Sequence, residues 1–473
     1  MKTLKNLIGN TWEEPRGTEY LEAVDPATEE AVARFPAGST DDVDRAVEAA
    51  DRAQPGWSAL PVTERVALIS AWADTVAGHT DELAELECRE MGKPVGTART
   101  FIDGAVAGLG GVAAEALGYP FEQDIERADG GHTRILRHPL GVAAVITPWN
   151  FPVAMVLSAL GPLLAAGNTV VVKPSERSPL STARLFELLD LPPGVVNLVL
   201  GDSRAGAPLA EHETVQLVHF TGSVGVGRTI GANAGRQLHR TVLELGGKDP
   251  VVIDADSDPK TAAEAVAFGA FVNTGQICTS MERIYVHREI AEEFVDALAT
   301  AARGFTVGDG RQEGTVLGPL VDGRQRELVH RHVTDAVDRG AGVRTGGAVP
   351  DGQGFFYPPT VLTDVDESML VMTEETFGPI APVAVVDSFE EGLERASRSR
   401  FGLAATVFTH DPGHAAAAAR IPAGVTWINE WQGGGPERLY EPARDSGMGA
   451  TGAHAAYDAA TRPASVHAPA PSA

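Results

Sequence analysis

Apolar and polar positions recur along the chain with two periods, and these periods predict its elements. Three stretches near the N-terminus, 40–54, 63–78 and 80–91, each open with a threonine placed to cap a helix and carry apolar residues at helical spacing. After them, short β-branched runs alternate with helical stretches. Strand–helix alternation of this kind indicates a parallel sheet covered by helices on both faces.

Two such alternating series follow one another. The first has predicted strands at 141–147, 169–173, 195–200 and 217–220, with helices at 178–190 and 225–235. The second has predicted strands at 251–253, 284–287, 381–386, 404–409 and 425–429, with helices at 258–272, 288–303 and 322–339. A lone strand at 464–468 needs a partner sheet, inside the chain or across a subunit boundary. The pattern therefore predicts two α/β lobes and a small β element.

Composition narrows the class of protein. A length of 473 residues favours two large lobes plus an accessory element over one core. A formal net charge of −26 argues against nucleic-acid and anionic-membrane partners, because both require basic surface. The chain begins without a secretory signal pattern and its apolar runs are of strand length, so we expect a cytoplasmic protein that does not span a membrane. Two cysteines are too few for a disulfide framework, and without a C-x-x-C pair no metal site is expected.

The first chemical candidate is Cys278, in the stretch Asn273-Thr-Gly-Gln-Ile-Cys-Thr-Ser280. Its small and polar neighbours form a glycine-containing turn after a predicted helix, where a substrate can reach a thiolate. Cys88, by contrast, lies inside an amphipathic helix and is expected to be a buried apolar residue. A nucleophile also needs an activating base and an oxyanion site, and the sequence offers a candidate for each.

Glu244 and Asn150 are those candidates. Glu244 stands in Leu243-Glu-Leu-Gly-Gly-Lys248, between two leucines, where apolar surroundings raise a carboxyl pKa toward that of a general base. A strand glutamate that faces solvent would leave the paired glycines unexplained. Asn150 stands in Thr147-Pro-Trp-Asn-Phe-Pro152, at the end of a predicted strand, where its side-chain N–H can donate to an oxyanion.

Two further motifs point to a nucleotide. The stretch 220–227, Phe-Thr-Gly-Ser-Val-Gly-Val-Gly, follows a strand and opens a helix, so its N–H groups can hold a pyrophosphate. It lacks the G-x-G-x-x-G spacing, which leaves a purely structural turn as the alternative. Lys173-Pro-Ser-Glu176 lies just beyond a strand end, where open α/β sheets bind ligands, and Lys173 and Glu176 can both hydrogen-bond a ribose.

Six motifs occur together in one order and spacing: PWNFP (148–152), KPSE (173–176), FTGSVGVG (220–227), LELGGK (243–248), GQICTS (275–280) and EETFGPI (374–380). In this respect the chain resembles the NAD(P)-dependent aldehyde dehydrogenase superfamily, from about Leu7 to about His467. The resemblance implies a non-acylating enzyme that oxidises a small-molecule aldehyde to its carboxylic acid.

The resemblance also implies a role for each motif residue. Cys278 attacks the aldehyde, Asn150 and the Cys278 backbone N–H hold the oxyanion of the thiohemiacetal, and Glu244 activates the water that hydrolyses the resulting thioester. The implied cofactor is NAD, with NADP possible, and Glu176 favours NAD because a carboxylate repels a 2′-phosphate. The residues implied to contact the cofactor are Thr147, Trp149, Lys173, Glu176, Gly222, Ser223, Leu245, Glu375 and Phe377.

The implied architecture is that of the family. It consists of a Rossmann-like cofactor-binding domain at 1–120 and 140–246, a catalytic domain at 247–445, and an oligomerisation element at 121–139 and 446–473. That element would combine a hairpin near 121–139 with the strand at 464–468. Homodimers or homotetramers are implied, with terminal strands adding to a neighbour's sheet.

Two departures from the family pattern affect the site. After Ser446-Gly-Met-Gly449 many relatives carry Arg-Glu, whereas this chain has Ala450-Thr451, so Glu244 is the one expected base. The stretch 430–445, which contains Gly433-Gly-Gly435 and Arg438, resembles no common version and lies where relatives shape the substrate entrance.

The expected substrate is an uncharged aromatic or medium-chain aldehyde. Semialdehyde-oxidising relatives often carry an arginine at the position of Val272, and a buried substrate carboxylate needs such a cation. Ser158 stands where many relatives have a large aromatic residue, which leaves room for a bulkier substrate. The other expected tunnel residues are Phe151, Met155, Ile277 and Trp431.

Four alternatives remain open. Arg438 or Arg444 folded over the entrance would permit a semialdehyde. An acylating, coenzyme A-dependent member and an inactive structural homologue are disfavoured by Glu244 and by the complete motif set, and a serine hydrolase by the lack of a G-x-S-x-G motif.

Overall fold

The computed structural model describes residues 2–434 and 438–470. Gly435 of the late loop and the last three residues of the expected oligomerisation element, 471–473, lie outside the described part. The helices of the described chain are α1 (Thr40–Ala59), α2 (Val62–Ala77), α3 (Thr80–Met91), α4 (Val95–Glu115), α5 (Pro152–Ala165), α6 (Pro179–Glu187), α7 (Ser203–Glu211), α8 (Val224–Gln237), α9 (Pro259–Phe271), α10 (Ala291–Gly304), α11 (Gly323–Asp338), α12 (Leu370–Thr373), α13 (Phe389–Ser397), α14 (Pro412–Ala417) and α15 (Ala453–Ala460).

The strands of the same described residues are β1 (Lys2–Thr3), β2 (Asn6–Ile8), β3 (Thr11–Glu13), β4 (Tyr20–Asp25), β5 (Glu30–Pro36), β6 (Glu122–Glu126), β7 (His132–Pro139), β8 (Val142–Ile146), β9 (Thr169–Lys173), β10 (Val196–Leu198), β11 (Val215–Thr221), β12 (Arg240–Glu244), β13 (Asp249–Ile253), β14 (Met281–His287), β15 (Gly342–Thr345), β16 (Thr360–Thr363), β17 (Ile380–Val386), β18 (Phe401–Gly402), β19 (Ala404–Phe408), β20 (Val425–Ile428), β21 (Ala443–Arg444), β22 (Gly447–Met448) and β23 (Thr461–Ala468).

The first lobe is built on a sheet of order β22-β12-β11-β8-β9-β10-β2-β3. Its five central strands, β12 to β10, are parallel, while β22, β2 and β3 add antiparallel edges. One face packs against α2 to α6 and the other against α1, α7 and α8. Strands β8 and β9 are buried throughout, which is why their sequences are unbroken apolar runs.

The second lobe repeats the arrangement with a sheet of order β15-β16-β17-β14-β13-β19-β20. All its neighbouring strands are parallel except β15 and β16. Helices α9 and α10 cover one face, and α11 and α13 cover the other. The expected α/β architecture is confirmed. The strands of the second sheet follow most strands of the first sheet in the chain.

The terminal strand finds its partner inside the chain. Strand β23 pairs antiparallel with β7 over its whole length, from Thr461 opposite Pro139 to Ala468 opposite His132. Strand β7 also pairs with β6, which gives a three-stranded sheet whose strand β6 is exposed at every residue. This sheet joins the predicted hairpin to the predicted terminal strand.

The N-terminal region differs from the sequence prediction in three ways. Five short strands, β1 to β5, precede the first helix, where helices were expected to come first. The predicted threonine caps are wrong: Ser39 caps α1 through its hydroxyl, and Pro61 and His79 precede α2 and α3. Helix α4 was not predicted, because five glycines lower its intrinsic helix propensity. It forms because one face is buried, at Ala98, Ile102, Val106, Leu109 and Ala113.

Among the described residues, none of the helices combines the length and the apolar character needed to cross a membrane.

Candidate active site

A cavity of about 400 Å³ opens where the carboxyl ends of the first sheet's strands face the second lobe. Eight of the twelve catalytic and cofactor-binding residues singled out in the sequence line it, although they come from five separate stretches of chain. These eight are Trp149, Asn150, Gly222, Ser223, Leu245, Cys278, Glu375 and Phe377. Parallel strands end at a common sheet edge, which is the physical reason that such distant motifs meet.

Cys278 is presented by a strained turn that follows α9. Residues Asn273, Thr274 and Gly275 all have positive φ, of 52°, 57° and 68°. A Cβ atom at Gly275 would overlap the Gly378 carbonyl, so this position requires glycine for both its φ and its space. The Thr274 hydroxyl donates to the Gly318 carbonyl oxygen at 2.9 Å, which holds one strained residue in place.

The Cys278 side chain is partly accessible and reaches the cavity. Burial, and after it the Asp249 and Glu375 carboxylates, raise the pKa of the Cys278 thiol well above its ordinary value. The cysteine therefore rests as a neutral thiol. The side chain is thus accessible from the cavity, and the group that favours its thiolate, the Thr279 backbone N–H, is outweighed by the causes that raise the pKa.

Asn150 lies directly beside this turn. Its Nδ2 group donates to the Gln276 carbonyl oxygen at 3.0 Å, and its own carbonyl accepts from Asn273 Nδ2 at 3.4 Å. The side chain is 4% exposed and lines the cavity together with Cys278. An amide Nδ2 carries two protons, so one remains to donate into the cavity.

Glu244 is the last residue of β12, and the residue is half-buried. The Thr451 hydroxyl donates to its Oε1 atom at 3.3 Å, and the nearby Tyr440 hydroxyl also lowers the pKa of the carboxyl group. Burial raises the pKa of Glu244 to about 8 despite these two donors. Of the described residues, those that line the cavity do not include Glu244, so its side chain is directed to one side of the site.

The paired glycines after Glu244 allow the two lobes to approach closely. A Cβ atom at Gly246 would overlap the Glu375 carboxylate, and one at Gly247 would come within 2.6 Å of the Cys278 carbonyl oxygen. The Gly247 N–H instead donates to Glu375 Oε1 at 3.1 Å. Burial raises the pKa of Glu375 to about 8, with a further contribution from the Glu282 carboxylate.

Behind Glu375, a buried ion pair fixes the segment that carries it. Lys248 Nζ lies 2.6 Å from Glu282 Oε2 and donates to the Thr376 hydroxyl at 3.1 Å. Glu282 accepts the backbone N–H groups of Thr376 and Phe377 at 2.9 and 2.8 Å. Phe377, with φ of 51°, meets the Trp149 ring edge-on at 5.4 Å between centroids. These contacts set the wall of the cavity.

Lys173, Glu176 and Thr147 lie beyond the cavity, at the ends of the neighbouring strands. Lys173 Nζ donates to the Gly201 carbonyl oxygen at 2.9 Å and lies 3.8 Å from Glu176 Oε2. Burial lowers the pKa of Lys173, whereas the Glu176 side chain is 44% exposed. The Thr147 hydroxyl is buried without a hydrogen-bond partner among the described residues.

The other end of the cavity is apolar. Phe151, Val272 and Ile277 form a buried cluster against which Phe101, Ala154, Met155 and Trp431 pack. The Trp431 indole N–H donates to the Thr279 carbonyl oxygen at 3.0 Å, which anchors the ring. Ser158 is exposed and, like Arg438 and Arg444, is not among the described residues that line the cavity. Arg444 instead donates to backbone carbonyls of Ser397 and Ser399.

Several cavity residues escaped the sequence analysis. Phe101 belongs to the glycine-rich helix α4, which was itself missed. Arg177 follows the Lys173–Glu176 motif and places its guanidinium 5.7 Å from the Trp149 ring centroid, paired with Asp322 at 3.2 Å. Gln325 in α11 bonds the carbonyls of Thr376 and Phe377 at 3.0 Å. Only their spatial neighbours identify these residues.

Comparison with known proteins identifies what this chain is similar to. Residues 12–466 match the model described as the aldehyde dehydrogenase family. The chain is 37% identical to the phenylacetaldehyde dehydrogenase of Pseudomonas fluorescens over 461 residues, which cover 94% of this chain and 91% of that protein.

Solved structures agree with this match. The crystal structure of lactaldehyde dehydrogenase from Escherichia coli is 33% identical with a TM-score of 0.95, covering 98% of this chain and 99% of that one. The NAD+ complex of aldehyde dehydrogenase from Bacillus cereus is 35% identical with a TM-score of 0.95, covering 99% of this chain and 97% of that one.

Proposed function

The chain belongs to the aldehyde dehydrogenase family and oxidises aldehydes, and we propose that it does so with NAD through a covalent intermediate on Cys278. The observation that carries the proposal is the meeting of Cys278 and Asn150 in one cavity with Glu375, Phe377 and the start of α8. A nucleophile, a donor for the oxyanion and the residues proposed to contact the cofactor therefore surround the place where one substrate carbon would bind.

The residues at the first sheet's edge fit a dinucleotide. Gly222 and Ser223 line the cavity where α8 begins, so the first N–H groups of this 14-residue helix face it and favour a phosphate. The unpartnered Thr147 hydroxyl offers a further donor nearby. Lys173 and Glu176 would hold the adenosine ribose, Glu375 the nicotinamide ribose, and Trp149, Leu245 and Phe377 would contact the cofactor itself. The NAD+ complex of the Bacillus cereus relative supports this choice of cofactor.

The chemistry begins with the Cys278 thiol. The thiol releases its proton to solvent, its sulfur attacks the aldehyde carbon, an S–C bond forms, and the carbonyl π electrons move onto oxygen to give the thiohemiacetal oxyanion. The free Nδ2–H of Asn150 and the Cys278 N–H donate to that oxyanion. When bound, NAD+ supplies a positively charged ring that favours the thiolate and accepts the hydride from the former aldehyde carbon. A thioester on Cys278 remains.

Hydrolysis of the thioester completes the reaction. Glu244 acts as the base that removes a proton from water, whose oxygen attacks the thioester carbon and displaces the Cys278 sulfur. The carboxylic acid leaves and the thiol is regenerated. A base with a pKa of about 8 is half-ionised at that pH, which suits proton transfer near neutrality.

The apolar end of the cavity supports an uncharged aromatic or medium-chain substrate. Among the described residues lining the cavity, the one arginine is Arg177, which stands on the cofactor side against Trp149 and is paired with Asp322. A substrate carboxylate beside Phe151, Val272 and Ile277 would lack a free counter-charge, because the Lys93 ammonium near the Phe151 ring is already paired with Glu87. The similarity to a phenylacetaldehyde dehydrogenase is consistent with this choice.

The test is NADH formation with four aldehydes under one set of conditions: benzaldehyde, phenylacetaldehyde, hexanal and succinic semialdehyde. We expect the first three to have the higher kcat/KM. A tenfold advantage for succinic semialdehyde would overturn the uncharged-substrate proposal and direct attention to Arg438. Turnover that depends on coenzyme A would instead identify an acylating enzyme.

We also propose the domain division and the assembly implied by the motifs. Residues 1–120 and 140–246 form the cofactor-binding domain, residues 247–445 the catalytic domain, and residues 121–139 with 446–473 the oligomerisation element. The exposed strand β6 and the continuous pairing of β7 with β23 support a role of the small sheet in a homodimer or homotetramer.

A further inference from the structure

The backbone of Glu244 is fixed on both sides, while its side chain is held separately. The Glu244 carbonyl accepts from Gly222 N–H at 3.0 Å, and β12 pairs antiparallel with β22, where Glu244 stands opposite Gly447. The carboxyl group itself lies beside half-buried residues at 440 and 451. The position of the carboxyl group is therefore set by what it contacts there.

Tyr440 and Thr451 make that site as a pair. Each backbone N–H donates to the other residue's carbonyl oxygen, at 3.0 Å from Tyr440 and 2.7 Å from Thr451. This two-residue antiparallel bridge places both side chains on one face, where the Thr451 hydroxyl donates to Glu244 and the Tyr440 hydroxyl lowers the pKa of the same carboxyl group. Burial raises the pKa of Tyr440, so the phenol stays protonated and can donate to a carboxylate without competing as a base.

The other ionisable groups around Glu244 act against its charged form. The Glu441 carboxylate raises the pKa of Glu244, and burial raises it more. The Cys278 thiol and Asp249 face the same region, since both also act on Tyr440. The Thr451 and Tyr440 hydroxyls are the groups that favour the carboxylate, because they alone lower the pKa of Glu244 among the groups that shift it.

We propose that Tyr440 and Thr451 are positioning residues for the hydrolysis step, which hold the Glu244 side chain and donate hydrogen bonds to its ionised form. The inference rests on the proposed role of Glu244 as the base. It assigns a task to the stretch that departs from the family pattern, since Tyr440 belongs to the late loop and Thr451 follows Ala450. Loss of the hydroxyls should impair thioester hydrolysis and leave thioester formation unchanged.

The test compares Tyr440→Phe, Thr451→Val and the double variant with the wild type. Rapid mixing should show the same NADH burst in each, because Cys278 and Asn150 are untouched. The steady-state rate should rise with pH in every variant. In the double variant the midpoint of that rise should lie about one pH unit higher than in the wild type, since the groups that favour the carboxylate are gone. The sign follows from Glu244 acting only when deprotonated.

Two matched variants separate hydroxyl loss from general damage. Thr451→Ser retains the hydroxyl and should keep the wild-type pH profile. Tyr20→Phe removes a phenol from a strand remote from the cavity and should change neither phase. Unfolding midpoints are measured for all variants, and if Tyr440→Phe fails to fold, the valine and serine variants at position 451 make the same comparison.

Glu244→Gln distinguishes failure of this inference from failure of the proposed function. A full burst followed by slow hydrolysis in Glu244→Gln establishes the base. If the double hydroxyl variant then keeps the wild-type pH limb, the positioning role is overturned. In a Glu244→Gln background, Tyr440→Phe should slow hydrolysis no further, because both act through one group. A Glu244→Gln enzyme without a burst would instead reject the proposed role of Glu244.

Discussion

At the scale of single residues, the two cysteines differ in access more than in protonation. Burial raises the pKa of Cys88 to about 12, and it raises that of Cys278 as well. Cys88 is 3% exposed and packs near Gly310, whereas Cys278 reaches the cavity. The contrast in neighbours that the sequence shows therefore reflects the accessibility of the two thiols.

Cys278→Ala should abolish aldehyde oxidation, and Cys88→Ala should leave kcat close to that of the wild type. Removal of a nucleophile costs roughly 10³-fold or more, because no other group forms the covalent intermediate. Steady-state NADH formation by both variants is the measurement. Substantial turnover by the Cys278 variant would contradict the covalent mechanism, and an inactive but folded Cys88 variant would contradict its structural role.

Glu176 should determine the choice between NAD and NADP. Its exposed carboxylate lies 3.8 Å from Lys173 Nζ, which is already bonded to Gly201 and neutralises it only in part. Glu176→Gln removes the charge that repels a 2′-phosphate, so kcat/KM for NADP relative to NAD should rise by roughly tenfold. Glu213→Gln, an exposed change away from the motifs, is the control. An unchanged cofactor ratio would place the ribose elsewhere.

Sequence reasoning at this scale succeeds where chemistry demands a residue type in a motif. It assembled Cys278, Asn150 and Glu375 into one candidate site, and the structure brings all three to one cavity. It did not identify Tyr440 or Arg177, because a hydroxyl or a cation acquires its role only from a partner that is distant in the chain. The sequence also does not show that the Glu375 carboxylate lies so close to Gly246 that a side chain there would overlap it.

At the scale of elements, a buried ion pair supports the segment that carries Asn150. Lys93 and Glu87 are 0% and 1% exposed, with Nζ and Oε2 at 2.6 Å. Glu87 Oε1 accepts Val153 N–H at 3.2 Å in the first turn of α5, and Lys93 Nζ lies 4.3 Å from the Phe151 ring centroid. The buried Glu87 carboxylate of α3 thus holds the first turn of α5 in place.

Glu87→Gln should lower stability by about 3 kcal/mol, because it leaves the buried Lys93 ammonium unpaired. Burial already lowers the pKa of Lys93, so the lone cation would be expensive to keep. The double variant Glu87→Gln/Lys93→Met should recover most of the loss, since it removes both charges of the pair. Urea midpoints measure both. If the double variant loses as much stability as the two single variants combined, the ion pair itself is not the source of the stabilisation.

Element boundaries in the lobes follow the sequence closely because strand and helix periods are strong there. Strand β9 and helix α3 occupy the predicted spans of 169–173 and 80–91. The failures have identifiable causes. Strands β2 and β3 are three residues each, too short to show a period, and α4 depends on tertiary burial that outweighs its glycines.

At the scale of the whole molecule, the small sheet leaves apolar side chains at the surface. Val466 in β23 is 55% exposed and Ile125 in β6 is 41% exposed. The two side chains lie on opposite faces of the sheet, because Val466 pairs with Arg134 and Ile125 pairs with Thr133. Exposed apolar side chains on a sheet with free edges are typical of subunit contacts. This supports the proposed homodimer or homotetramer.

Val466→Asp should shift the assembly toward smaller species, because it places a charge in a surface that association would bury. Ser465→Asp is the matched control, since neighbouring residues on a strand face opposite sides of the sheet. Sedimentation velocity over a range of concentrations distinguishes the species. A wild-type protein that sediments as a monomer, or a Ser465 variant that dissociates instead, would reject this assignment of the contact face.

The apolar end of the cavity also has a consequence for redesign of substrate range. Its walls come from α4, α5, the turn before Cys278 and the segment at Trp431, so residues can be varied there without touching the strained glycine positions. Phe101 and Phe151 meet edge-on at 4.8 Å between centroids, and changes at one alter the room left for the other. A mutant library that samples the two positions jointly should therefore reach specificities that stepwise selection, one site at a time, would pass over.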